Sequence, residues 1–241
     1  MRTQSKFLMM ARDWIVRNLA NGISLLGVLP IAVLFFDDGY RYILPLIVFN
    51  NFIDDLDGVV AVKLNIKSEF GAVLDNVCDA VAHTAFILTV GMHYGWICGI
   101  VGVAAVASML IRIVSRIVPG SVVGVGSPTN ELIRHMFFVL LLARVFSFDV
   151  AIVLAAVFTL HTVSMLLPYR MPGLIRSVTK SAFSIGLVNV ALVVAWLAPY
   201  AAPVVAAGFG STYLYGFVSG GLEWFKADTS IKTNPIAATR H

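Results

Sequence analysis

Eight apolar runs of near membrane-spanning length dominate this chain, at residues 19–36, 42–62, 70–93, 96–118, 132–147, 150–168, 181–199 and 203–222. A bilayer's hydrocarbon core is about 30 Å thick and takes roughly 20 apolar residues to cross as a helix. Inside it every backbone polar group must be paired within its own segment, which selects helices. Only short polar joints separate the runs, so no stretch remains for a soluble domain. Composition agrees: of 241 residues 59% are hydrophobic and 12% charged, with a mean hydropathy of +0.89, against about 25% charged in soluble domains. An ordinary water-soluble fold and intrinsic disorder are both excluded. The expected fold is all-α, a polytopic membrane helix bundle of about eight transmembrane helices. It forms one integral-membrane domain over residues 1–225, followed by a polar C-terminal tail at 226–241.

The formal charge of +4 and the pI near 9.2 fit cytoplasmic loops of a membrane protein better than a nucleic-acid surface, and no nucleic-acid partner is expected. With both termini cytoplasmic, 15 of the 17 Lys and Arg residues fall on the inner side, leaving Arg41 and Arg144 outside. That asymmetry favours an even number of crossings and puts the 63–69 loop in the cytoplasm. Tyr40, Tyr42, His93, Tyr94 and Trp96 fall at outer turns and read as an interfacial aromatic belt. Asp37 and Asp38 read as a solvated outer turn. At the N-terminus Arg12, Asp13 and Arg17 interrupt any secretory apolar core. This segment is expected to stay as an interfacial amphipathic helix, with Phe7, Met10 and Trp14 toward lipid. Cys78 and Cys98 lie within apolar runs and read as small buried hydrophobes.

The charges that need explaining are acidic. Of the 13 acidic residues, Asp54, Asp55, Asp57, Asp75 and Asp79 crowd the second and third helices, where an isolated carboxylate costs at least about 2.5 kcal/mol. Asp54 and Asp57 are three apart and Asp75 and Asp79 four apart, so each pair projects from one helix face. The two helices are antiparallel neighbours joined by a short loop, so the faces can meet. Four converging carboxylates repel one another in low dielectric unless cations sit between them. Mg²⁺ suits that need, because it prefers oxygen ligands and shares them with substrate phosphates. Gly58, Ala61 and Gly71 leave nearby backbone bare for a flat ligand, or serve close helix packing.

The spacing Asp54, two residues, Asp57-Gly58, two residues, Ala61, nine residues, Gly71, three residues, Asp75, three residues, Asp79 resembles the signature of the CDP-alcohol phosphotransferase (CDP-alcohol phosphatidyltransferase) family. The resemblance extends to that family's six-helix core, up to about residue 168. One position departs: the family has Arg directly after the Ala, and here it is Val62, with Lys63 next.

The resemblance implies a phospholipid-synthesis enzyme, a transferase that moves a phosphatidyl group from CDP-diacylglycerol to a small alcohol and releases CMP. Two divalent cations, Mg²⁺ or Mn²⁺, act as a clamp on the diphosphate. It further implies Asp54, Asp57, Asp75 and Asp79 as metal ligands, Asp79 as the general base, and Gly58, Ala61 and Gly71 as the lining of the cytidine pocket. Candidates for binding the acceptor or phosphate are Lys63, His83, Arg112, Arg116, Glu131 and Arg134, the last four flanking one inner loop together with His135. A ring of positive-inside arginines touching headgroups is the alternative reading of that cluster, and a solvated loop lysine that of Lys63. His83 alternatively reads as a satisfied intramembrane histidine. The stretch LDNVCD is similar to that of bacterial phosphatidylcholine synthases, so choline is the favoured acceptor, then serine. The implied setting is a bacterial inner membrane with the active site cytoplasmic and, from the resemblance alone, a homodimer. Buried aspartates equally suit a proton- or cation-coupled transporter, and Val62 leaves room for a catalytically silent family member.

Overall fold

The computed structural model describes residues 14–117, 126–169, 171 and 182–233. Among them eight α-helices carry the fold: α1 (Leu19–Val28), α2 (Ile43–Lys63), α3 (Glu69–His93), α4 (Trp96–Ile117), α5 (Thr129–Leu142), α6 (Val150–Leu166), α7 (Ala182–Leu197) and α8 (Ala202–Thr233). No strand occurs among the described residues, and the bundle is the all-α membrane architecture expected. Of the N-terminal interfacial helix, residues 1–13 lie outside the described region. Residues 14–17 are helical, with Trp14 67% exposed.

Among the described residues three segments are individually long and apolar enough to cross a membrane: Glu69–His93, Trp96–Ile117 and Pro199–Ala227. Helix α2 matches them in length at 21 residues, but its three aspartates lower its hydropathy. The first apolar run is not one α-helix. It changes at Leu29 to a 3-10 helix, Leu29–Phe35, because Pro30 cannot donate to the α-helical ladder. The last run is longer than its apolar stretch, since α8 continues to Thr233 and takes in the start of the polar tail.

The core is built around α4, which packs on α3 and α6, while α1 lies across α2 and α3. Phe86, Met109, Leu132, Met136, Phe137 and Phe158 are fully buried. Outward residues such as Ile100, Val103, Leu187 and Val218 are more than half exposed, giving the apolar outer surface that a bilayer solvates. Cys78 and Cys98 are free and buried, as small apolar residues would be. Helices α3 and α4 approach closely where a Cβ on Gly91 would meet the Cys98 carbonyl oxygen at 3.2 Å and Gly99 Cα at 3.3 Å.

One turn positions the site. Helix α2 ends with Asn65 in the left-handed region at φ 54°. Ile66 N–H donates to the Ala61 carbonyl at 3.0 Å and Asn65 N–H to that of Val62 at 3.2 Å, the paired bonds of a Schellman ending. Three residues later Ser68 caps α3, its Oγ accepting from Gly71 N–H at 2.9 Å. The chain therefore reverses within five residues, 64–68, and sets the Asp57 end of α2 beside the Asp75 end of α3.

Candidate active site

Asp54, Asp57 and Asp75 each offer a carboxylate oxygen, all within 4.8 Å of one another. Asp57 is buried and the other two are half-buried. They line a cavity of about 710 Å³ together with Gly58, Ala61, Val62, Lys63, Lys67, Ser68 and Gly71. The two halves of the signature thus converge across the α2–α3 turn. Asp79 lies one turn farther along α3, outside this group of three.

Asp54 and Asp57 each accept from a neutral donor. Asn130, from α5, gives its amide to Asp54 Oδ2 at 3.2 Å, and the Ser24 hydroxyl, from α1, donates to Asp57 Oδ2. Neutral donors orient a carboxylate and leave its charge in place. Hard oxygen donors gathered so closely form a set that Mg²⁺ or Mn²⁺ fits.

The two glycines differ in how they use their lack of a side chain. A Cβ on Gly58 would meet nothing within 4 Å, so this backbone is open to the cavity. A Cβ on Gly71 would meet Asn21 Oδ1 and Ser68 Oγ, each at 3.0 Å. Gly71 therefore also lets α1 pack against the start of α3. Val62, where the family has Arg, is 58% exposed and lines the cavity beside Lys63.

Asp55 lines the same cavity and bonds toward α7. Its Oδ2 accepts the Asn189 amide at 2.6 Å and the Asn51 amide at 3.3 Å. Arg134 then donates to Asn51 Oδ1 from Nη2 at 3.1 Å and Nε at 3.3 Å, and pairs with Glu131 at 3.3 Å. Its guanidinium stands 5.7 Å from the centre of the Phe209 ring of α8. Arg116 reaches the Asn76 amide oxygen, the neighbour of Asp75, at 3.4 Å, and Arg112 the Ser127 carbonyl at 3.4 Å. The three arginines thus serve different partners. His83 is buried, its Nδ1 without a partner among the described residues.

Sequence reasoning missed Ser24, Asn130, Asn51 and Asn189, which hold the acids, and Tyr213. The Tyr213 hydroxyl donates to Ser164 Oγ at 2.7 Å, and its ring packs 5.0 Å from that of His135. The one available signal is polarity inside apolar runs, where an amide or hydroxyl needs a partner as surely as an acid does.

No match to a curated protein was found. The family model of CDP-alcohol phosphatidyltransferase matches residues 17–163, a span that takes in the whole acidic cluster and every helix from α1 to most of α6. The cavity and the match agree, and the chain belongs to the CDP-alcohol phosphatidyltransferase family, integral-membrane transferases of phospholipid synthesis.

Proposed function

We propose that this protein transfers a phosphatidyl group from CDP-diacylglycerol to the hydroxyl of a small alcohol, choline before serine, and releases CMP. The observation that carries the reading is the convergence of Asp54, Asp57 and Asp75 within 4.8 Å, in a cavity that also presents the bare backbone of Gly58. Asp54, Asp57, Asp75 and Asp79 would hold two divalent cations, which would neutralise the diphosphate and the departing CMP.

The remaining chemistry belongs to the chain. Gly58, Ala61 and Gly71 admit the cytidine edge-on against backbone. Lys63, in the position next to the absent motif arginine, supplies a cation to the phosphates. Asp79 takes the proton from the acceptor hydroxyl; that oxygen forms a bond to the phosphorus bearing diacylglycerol, and the bond from this phosphorus to the oxygen of CMP breaks. Ser24 and Asn130 fix the carboxylates of Asp57 and Asp54, so the acids are ordered before substrate arrives.

Choline is favoured by the resemblance of LDNVCD. The lipid donor suits a site at the cytoplasmic membrane surface, where acyl chains remain in the bilayer and the acceptor arrives from water. A test is CMP release by purified protein given CDP-diacylglycerol, Mg²⁺ and separate alcohols. Choline is expected to give the fastest release, and a faster rate with serine would reassign the acceptor.

A further inference from the structure

Helix α8 lies beyond the family-matched residues 17–163, yet one of its side chains reaches into the core of that span. Tyr213 is buried, and its ring packs 5.0 Å from that of His135 on α5 and 4.8 Å from that of His161 on α6. Its hydroxyl donates to Ser164 Oγ at 2.7 Å, and Ser164 Oγ stands in hydrogen-bond contact with Ser127 Oγ at 2.9 Å. Both serines are fully buried. The backbone repeats the link, since Ser127 N–H donates to the Ser164 carbonyl at 3.0 Å. Ser164 belongs to the last turn of α6, where carbonyls lack an intrahelical partner, so this bond satisfies both segments. A Cβ on Gly126 would run into that same carbonyl oxygen, which shows how closely residues 126 and 127 lie on α6.

What this clasp holds is the start of α5. Pro128 follows Ser127 directly, its ring fixing the backbone torsion at φ −65°, and Thr129 opens the helix. Asn130, one residue on, gives its amide to Asp54 Oδ2 at 3.2 Å. Only Pro128 and Thr129 separate the clasped serine from that donor, so movement of the clasp passes to the carboxylate with little slack. We propose that Tyr213 is a positioning residue for the cation site: its hydroxyl locks Ser164 to Ser127 and, through Pro128 and Asn130, fixes the Asp54 carboxylate. The inference rests on the reading of Asp54 as a cation ligand. Tyr213 and Ser164 both fall outside the family-matched span, so residues beyond it set how firmly one of its acids is held.

The test is Mn²⁺ binding to the full-length protein in phospholipid nanodiscs, read by electron paramagnetic resonance. Tyr213→Phe keeps the ring against both histidines and removes only the hydroxyl. It is expected to weaken Mn²⁺ binding by about three- to tenfold, less than the roughly 10- to 100-fold typical when a ligand's direct partner is lost, which Asn130→Ala should show. Ser127→Ala cuts the same chain one link nearer and should bind as Tyr213→Phe does. Tyr213→Phe combined with Asn130→Ala should match Asn130→Ala alone within about twofold, because the hydroxyl acts on the cation only through Asn130. In CMP release, Tyr213→Phe should raise the half-saturating Mg²⁺ concentration by the same factor, with saturating Mg²⁺ restoring most of kcat.

Mn²⁺ affinity within about twofold of wild type in either Tyr213→Phe or Ser127→Ala overturns the proposal. So does a loss in the Asn130→Ala background as large as that in wild type, or a lowered kcat at unchanged Mg²⁺ dependence, the mark of a purely structural role. Wild-type protein that binds no Mn²⁺ sinks the cation reading and the positioning role with it. Binding that follows the variants as expected, without CMP release from any alcohol, sinks the transferase reading alone.

Discussion

The Asn189 side chain donates to Asp55 at 2.6 Å across 134 positions of the chain, tying α7, which lies beyond the family-matched segment, to the helix that carries half of the signature. Asn51 closes the triangle, giving its amide to Asn189 Oδ1 at 3.0 Å while Arg134 occupies its oxygen. Asn189→Ala removes one of two donors to a half-buried carboxylate, a loss worth about 1–3 kcal/mol. Where the whole of that loss falls on the transition state, kcat/KM drops by roughly 5- to 150-fold. Asn189→Asp, which sets a second acid against Asp55, is expected to be worse than Ala. Steady-state kinetics of both variants check the order.

Ser24 acts on Asp57 from a helix that carries none of the signature. Replacing the hydroxyl by Ser24→Ala frees the carboxylate to rotate. Partners of this kind typically change metal affinity by about 10–100-fold, so the half-saturating Mg²⁺ concentration is expected to rise by that order while saturating Mg²⁺ restores much of kcat. Ser24→Thr keeps the hydroxyl and is expected to stay near wild type. A Mg²⁺ titration of CMP release separates the two.

Much of this site is legible from sequence, and the reason it is only part of it is physical. An aspartate inside an apolar run is costly, so Asp54, Asp57, Asp75 and Asp79 announce themselves by position, and spacing on two adjacent helices brings them together. Ser24, Asn130 and Asn189 carry no charge and repeat with no period. Their meaning comes from pairings 33, 76 and 134 residues away, which only the packing of α1, α5 and α7 onto α2 creates. Among the described residues the helices follow the apolar runs in the same way. The 3-10 stretch after Pro30 and the extension of α8 to Thr233 depend on local capping and tertiary support.

Asp79→Asn keeps the shape of the side chain and removes its basicity. If Asp79 takes the acceptor proton, turnover falls by about 100- to 10,000-fold, the usual worth of a general base, a larger factor than the loss of donor binding that follows from its share in holding the cations. Equilibrium binding of a labelled CDP-diacylglycerol beside single-turnover kinetics gives both numbers. Turnover equal to wild type would remove the assignment.

Lys63 stands beside Val62 at the cavity wall. Lys63→Ala is expected to raise the donor KM several-fold with little change in kcat, because it removes attraction shared by ground and transition states. Val62→Arg, which places a guanidinium where the family has one, is expected to lower the donor KM and to rescue part of the Lys63→Ala defect.

Gly91 marks a close approach of α3 to α4, and what a side chain would meet there is backbone, which cannot move aside. Gly91→Val is expected to destabilise the bundle by about 1–3 kcal/mol, the cost of overpacking. Its melting temperature in detergent should fall, whereas Gly58→Ala, with open space around it, should leave melting unchanged and weaken nucleotide binding.

The central claim is that Asp54, Asp57 and Asp75 gather to hold divalent cations for transfer from a CDP-linked lipid. Its most direct test is Mn²⁺ binding to the purified protein followed by electron paramagnetic resonance, with and without CDP-diacylglycerol. The account predicts bound Mn²⁺ that tightens when donor is added and is lost in Asp57→Asn and Asp75→Asn alike, with CMP release lost in parallel. Mn²⁺ binding unchanged in both variants, or CMP release at full rate in excess chelator, would contradict it.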